Sequence, residues 1–146
     1  MPVIKVQTNH KKVSDEFEVR LAVHMAKVMK RPESQIFVSV DTSPRMTRGK
    51  LTDPLAILEV TTSTVLTPVL TEEYTVAICE FFQQELLLDA DAVLINYRSL
   101  APDLIGYNGH ILHENRPFVT RDRAIFMLGM LAIALSAFLL QFLQFI

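Results

Sequence analysis

Apolar residues recur along this chain with two different periods, and the switches between them mark out its elements. Val3–Thr8 reads as a strand. Ser14 stands where a helix N-cap belongs, with Asp15 and Glu16 in the first turn, where negative charge suits the helix dipole. Phe17, Leu21, Met25 and Val28 follow at helical spacing, Lys30 and Arg31 close the helix, and Pro32 prevents its continuation. Ile36–Val40 and Leu55–Val60 are β-rich runs on either side of a basic loop, Ser43–Asp53, that carries Pro44, Arg45, Arg48, Gly49 and Lys50. Thr71 is predicted to cap a second helix, with Glu72 and Glu73 in its first turn and a stripe of Tyr74, Ala77, Ile78, Phe81 and Glu85. After the turn Asp89–Ala90–Asp91, Ala92–Tyr97 is an apolar strand, and Ile105–Tyr107 and Ile111–Leu112 read as short edge strands.

This order is β-α-β twice over, offset by roughly 50–60 residues in pattern rather than in sequence. Two such units in one domain predict an α+β fold: a four-stranded mixed sheet with both helices on one face. The domain is expected over residues 1–118, followed by a tail, 119–146.

That tail is where composition changes the picture. Arg123 is the last charged residue, and 124–146 is a run of 23 residues, 13 of them Leu, Ile, Phe or Val. As a helix it would span about 34 Å, against a hydrocarbon core of ~30 Å. Its apolar residues favour insertion by roughly 4–8 kcal/mol before the polar Gln141, Gln144 and Ser136 are counted. A C-terminal hydrophobic helix spanning a membrane is therefore expected, and burial of the helix in an oligomer is the competing reading. With Arg121 and Arg123 on its near side, the domain is expected to face the cytosol. Gly129, Ala132 and Ser136 form a small-residue stripe along it.

The rest of the composition mainly excludes. A net charge of −2 gives no electrostatic case for nucleic acid. The single cysteine, Cys79, cannot close an intrachain disulfide. None of the four asparagines begins a glycosylation acceptor, and Lys5, Asn9, His10, Lys11 and Lys12 interrupt any secretory leader. His110, His113 and Glu114 are too few, and too close to a turn, for a metal site. His24 falls mid-helix, facing solvent or a neighbour, and the pair Phe81–Phe82 reads as core. No cofactor is called for.

The candidate chemistry sits at the start. Pro2 opens the first strand, and an initiator methionine before proline is usually trimmed. The proline nitrogen would then be a free secondary amine. Burial or a neighbouring cation would lower its pKa below the ordinary α-amino range of about 7.7–8.0. A neutral amine near pH 7 serves as base toward an acidic C–H or as nucleophile toward a carbonyl.

Further marks follow in order: Arg31-Pro32 after the first helix, Asp53-Pro54 before the third strand, Ile95-Asn96-Tyr97 in the fourth, and Gly106-Tyr107-Asn108 near the end. With the proline start, they resemble the macrophage migration inhibitory factor family of the tautomerase superfamily, over about residues 2–113. The resemblance implies a homotrimer with sites between subunits and keto–enol tautomerisation of phenylpyruvate-like or dopachrome-like compounds. It also implies cytokine-like signalling, with a cell-surface receptor and a signal-peptide-independent route of secretion as the alternative to the membrane tail.

The same resemblance makes Pro2 the catalytic base. It places Arg31, Ser63, Leu94, Asn96 and Tyr107 around a small aromatic α-keto acid. Arg31 stands for the family's lysine, Leu94 for a tyrosine, Ser63 near an isoleucine and Tyr107 for a tryptophan, and Asn96 matches. Where the family carries Cys-x-x-Cys, this chain reads Leu55-Ala56-Ile57-Leu58, which has no thiol chemistry. Because the pocket differs at several positions, a binding module of reduced activity is the alternative.

Overall fold

The structure is a computed structural model and describes residues 1–112. The elements run β1 (Val3–Thr8), α1 (Phe17–Val28), β2 (Phe37–Asp41), β3 (Ala56–Thr62), α2 (Pro68–Leu86), β4 (Val93–Ser99), β5 (Gly106–Tyr107) and β6 (His110–Ile111). The four long strands form one mixed sheet in the order β2-β1-β3-β4. β1 pairs with β2 in parallel and with β3 antiparallel, and β3 pairs with β4 in parallel.

Strand alternation decides which face the helices cover. Ile4, Val6, Leu58 and Val60 are buried together with Phe17, Leu21 and Met25 of α1 and Ile78 and Phe82 of α2. The opposite face keeps Lys5, Gln7, Ser39, Asp41, Asn96 and Arg98 exposed. The expected four-stranded sheet with two helices on one face is what forms. Phe17 ties the two helices together, its ring centroid 5.4 Å from both Phe81 and Phe82. Each aromatic pair of this kind contributes about 0.5–1.5 kcal/mol beyond its area. At the edge of that contact Arg20 grips Glu85 with two nitrogens, at 3.0 and 2.6 Å. This explains a carboxylate on an otherwise apolar stripe. His24 meets a neighbour: its Nε2 is 3.0 Å from the Ala77 carbonyl oxygen, and its ring lies against Phe81.

Several boundaries differ from expectation. α2 begins a turn early: Pro68, with φ already fixed for a helix, occupies its first turn. Thr67 rather than Thr71 is the N-cap, its hydroxyl accepting from the Leu70 N–H at 3.3 Å. Ser14 does not cap α1 with its side chain; its carbonyl accepts from Phe17 N–H, and its hydroxyl accepts from Arg20. β5 and β6 pair with each other as a separate two-stranded ribbon instead of extending the sheet. The domain boundary at 118, the tail 119–146 and its span 124–146 lie outside the described residues, as do His113 and Glu114. Among the described residues no helix is long and apolar enough to cross a membrane.

Candidate active site

The sheet order puts the start of the chain at the head of an inner strand. Val3 pairs with Phe37 on one side and Thr61 on the other. Pro2, one residue earlier, is held by its carbonyl, which accepts from the Phe37 N–H at 3.1 Å, and its side chain is fully buried. Three neighbouring segments converge on this point. The turn after α1, closed by the Arg31 N–H on the Ala26 carbonyl, delivers Arg31. The end of β3 delivers Ser63 and Thr64. The β5–β6 ribbon brings Tyr107, whose ring meets that of Phe37 edge-on at 5.9 Å.

Met1 is present, so the Pro2 nitrogen is here a tertiary amide and the amine at the site is that of Met1. It donates to Ser63 Oγ at 2.7 Å, a buried contact. Burial, and after it the positive charge of Arg31, holds this amine below its ordinary pKa. Arg31 itself is exposed; its Nη2 reaches Thr64 Oγ1 only at 3.5 Å, so the guanidinium is free to turn toward an incoming anion. Thr64 is fixed in turn, its carbonyl accepting from Ser99 Oγ and its N–H donating to Thr62 Oγ1.

Of the six residues expected to form the site, Pro2, Arg31, Ser63 and Tyr107 gather at one end of the sheet. Leu94 and Asn96 do not join them. They lie on β4, opposite Ile57 and Glu59 of β3, on the bare face and further down the sheet than the Val3–Thr61 pair. Leu94 is 57% exposed and carries no donor. Among the described residues of one chain nothing connects them to Pro2.

Phe37 and Thr64 were missed by the sequence reading. Phe37 had the signal of an apolar residue on a strand position facing away from the helices; Thr64 had none.

The basic loop does not face this site. Arg48 donates to the backbone carbonyl and the carboxylate of Asp91, beside the start of β4 and at the opposite end of the sheet. Arg48 and Asp91 help line a cleft of about 670 Å³ that also holds His10, Lys12, Asp53 and Glu85. Arg48 is paired with Asp91 and Glu85 with Arg20, so these charged groups of the cleft are already engaged within the chain. Tyr97, in the expected triplet, turns to the helix side: its hydroxyl lies 2.9 Å from Thr75 Oγ1, and burial raises its pKa. Cys79 is half-buried on α2, and burial raises its thiol likewise.

The model of the macrophage migration inhibitory factor family matches residues 1–113. The chain is 78% identical over 146 residues to "MIF-like protein mif-3" of Caenorhabditis elegans, with both chains covered in full. It is 26% identical over 115 residues to "D-dopachrome decarboxylase" of Mus musculus, covering 77% of this chain and 98% of the mouse protein. The solved structure of a macrophage migration inhibitory factor homologue from Prochlorococcus marinus superposes with a TM-score of 0.70 at 25% identity. It covers 76% of this chain and 99% of its own. The tail thus has a counterpart in the nematode relative and none in the other two.

Proposed function

We propose, from the premise that this chain belongs to the macrophage migration inhibitory factor family, that it is a keto–enol tautomerase acting on small aromatic α-keto acids. The observation that carries this reading is the N-terminal amine itself. It is partly withdrawn from water, held by Ser63 and set beside the cation of Arg31. Removal of Met1 takes that amine away and makes the Pro2 nitrogen the new terminus, one residue further in at the head of β1 and in the same surroundings. Neutral, it takes the proton from the carbon next to the substrate carbonyl. The C–H electron pair forms the carbon–carbon double bond, the carbonyl π pair moves onto oxygen, and that oxygen takes a proton from the Pro2 ammonium or from water, which in turn recovers one from Pro2, to give the enol. The reverse passage returns the proton to carbon. Arg31 binds the carboxylate through charge-assisted hydrogen bonds, and Tyr107 and Phe37 supply an aromatic wall.

Leu94 and Asn96 enter the site from a second subunit on this reading. The bare face and the exposed β4 positions are the surfaces a homotrimer uses, and the family's small oligomers support it. Leu94 lacks a hydroxyl, so less of the enolate charge is met by hydrogen bonds. A second reading follows from that residue: a binding or signalling module, engaging a cell-surface receptor, that keeps the fold with little turnover. The segment 124–146 is taken as a membrane anchor with the domain on the cytosolic side, where release by a signal-independent route is the alternative.

The deciding experiment measures turnover of 4-hydroxyphenylpyruvate by the purified protein against Pro2→Gly. Equal rates in the two proteins would reject the enzymatic reading and leave the binding module. Carbonate extraction of a reporter fused to 124–146 tests the anchor, and a soluble reporter rejects it.

A further inference from the structure

We propose that the Ser63 hydroxyl is a catalytic group of this chain, donating to the enolate oxygen and relaying a proton to it from the Pro2 ammonium. This rests on the tautomerase reading and names the carrier for the proton's return to oxygen. The first argument is the place of the hydroxyl. Continuing the register of Val3 with Thr61 sets Pro2 against Thr62 and Met1 against Ser63. Ser63 is 8% exposed, and its Oγ accepts from the Met1 amine at 2.7 Å. Two further serine or threonine side chains, Thr8 and Thr62, are buried among the described residues. Thr8 donates to the Leu55 carbonyl at the far end of the sheet, and Thr62 accepts from the Thr64 N–H. Ser63 is left to face the amine, and its own O–H is donated to no acceptor among the described residues. The backbone on either side of it is tied down. The Thr62 carbonyl accepts from the Leu100 N–H at 2.9 Å, and the Thr64 carbonyl accepts from Ser99 Oγ at 3.0 Å. The hydroxyl therefore reaches the site from a fixed support.

The second argument is what Met1 imitates. Its N, Cα and C lead in that order to the Pro2 nitrogen. The oxygen, carbonyl carbon and α-carbon of a keto acid meet the same nitrogen in the same order. Met1 is thus a covalent stand-in for the reacting atoms, and its amine, bonded to Ser63, marks the place of the carbonyl oxygen. In the trimmed protein the peptide bond of about 1.33 Å gives way to an approach of about 3–3.5 Å. Ser63 follows the oxygen outward by turning between staggered rotamers.

The proton count closes. A neutral proline amine carries one N–H, which donates to Ser63 Oγ as the Met1 amine does, and its lone pair is left for the α-carbon. The lone pair takes the α-proton, the C–H pair forms the carbon–carbon double bond, and the carbonyl π pair moves onto oxygen. Ser63 gives that oxygen its proton and takes the original N–H proton from the ammonium. Pro2 ends neutral, holding the proton that came from carbon, and Ser63 ends as a hydroxyl again. Leu94 has no donor to offer the enolate, so the charge falls to Ser63.

The test measures ketonisation of the enol of phenylpyruvate by the full chain, its loss of Met1 checked by intact mass, beside Ser63→Ala, Ser63→Cys, Ser63→Thr and Pro2→Gly. Loss of one such donor costs about 100-fold. The kcat of Ser63→Ala falls by about that factor while KM stays within about twofold, and Ser63→Thr, which keeps a hydroxyl, recovers most of it. Ser63→Cys keeps the shape with a weaker donor and is slower than the parent protein; it decides the matter should the alanine variant fail to fold. A parental kcat in Ser63→Ala or Ser63→Cys, a change confined to KM, or a Ser63→Thr as slow as Ser63→Ala overturns the relay. The tautomerase reading survives each of these as long as the parent outruns Pro2→Gly. A parent no faster than Pro2→Gly overturns both.

Discussion

Replacing Arg31 by methionine separates the two jobs assigned to that side chain. The guanidinium is exposed and makes one long hydrogen bond, to Thr64, so its removal costs the fold within about 0.5 kcal/mol. Its first job is to bind the substrate carboxylate. A hydrogen bond to a charged group contributes about 1.5–3 kcal/mol, so kcat/KM falls about 10–150-fold, chiefly through KM. Its second job is electrostatic. Burial first, and then the Arg31 charge, lowers the pKa of the Met1 amine, and the same surroundings act on the Pro2 amine that takes its place. The base works neutral, so the rate climbs with pH through that pKa. Without the neighbouring cation the pKa rises and the acid limb moves to higher pH. Because burial is the larger cause, the limb stays short of an ordinary amine's. Arg31→Lys keeps the charge and holds the limb near that of the parent protein, while losing two-pronged contact with the carboxylate. Initial rates of phenylpyruvate tautomerisation, followed by ultraviolet absorbance from about pH 5 to 8, give both quantities at once. If Arg31→Met changes neither KM nor the acid limb, Arg31 does not face the substrate and the proposed site is wrong.

Three further outcomes are expected. Activity tracks the intact mass: protein that keeps Met1 has no proline amine and is inert, and a fully active preparation that retains Met1 reassigns the base to the Met1 amine. Cys79, half-buried with its thiol pKa raised, reacts with iodoacetamide about tenfold or more slowly in the native protein than in urea; equal rates would show that α2 does not shield it. The hydrogen bonds from Arg20 hold the Glu85 carboxyl below its usual pKa. Its contribution is therefore complete above the unfolded carboxylate value of about 4.3 and is lost as pH falls through the lower folded value. Glu85→Gln should flatten the acid decline of the urea midpoint in that window, and an unchanged decline would remove the pair from the account.

The fold was legible because its determinants are local or periodic. Phe17, Leu21 and Met25 on α1 and Tyr74, Ile78 and Phe81 on α2 repeat at helical spacing and are buried. Pro32 ends the first helical segment where a proline must. The start of α2 was misplaced because Thr71 has the better cap sequence, with two glutamates behind it. Thr67 wins because Pro68 adds a prearranged turn.

The site was legible only as far as one chain holds it. Pro2, Arg31 and Ser63 are far apart in sequence and come together through the crossovers of the sheet, which hydrophobic spacing alone does not specify; the family resemblance supplied them. Leu94 and Asn96 were named by the same resemblance, yet they lie on a face that the described residues leave uncovered. The basic loop was composition without position: Arg48 spends its charge on Asp91, at the far end.

The inner place of β1 bears on how the amine is made. Its antiparallel partner is β3, and Ile4 is matched with Val60. During synthesis the opening segment therefore has to wait until residue 62 has been added before its second neighbour exists. At 5–20 residues per second the ribosome takes roughly 3–12 s to get that far. In the finished molecule Met1 is 8% exposed, out of reach of a peptidase. Maturation of the proposed catalyst is thus a race between trimming and sheet closure, and a nascent chain that closes early is left with its base locked in an amide bond.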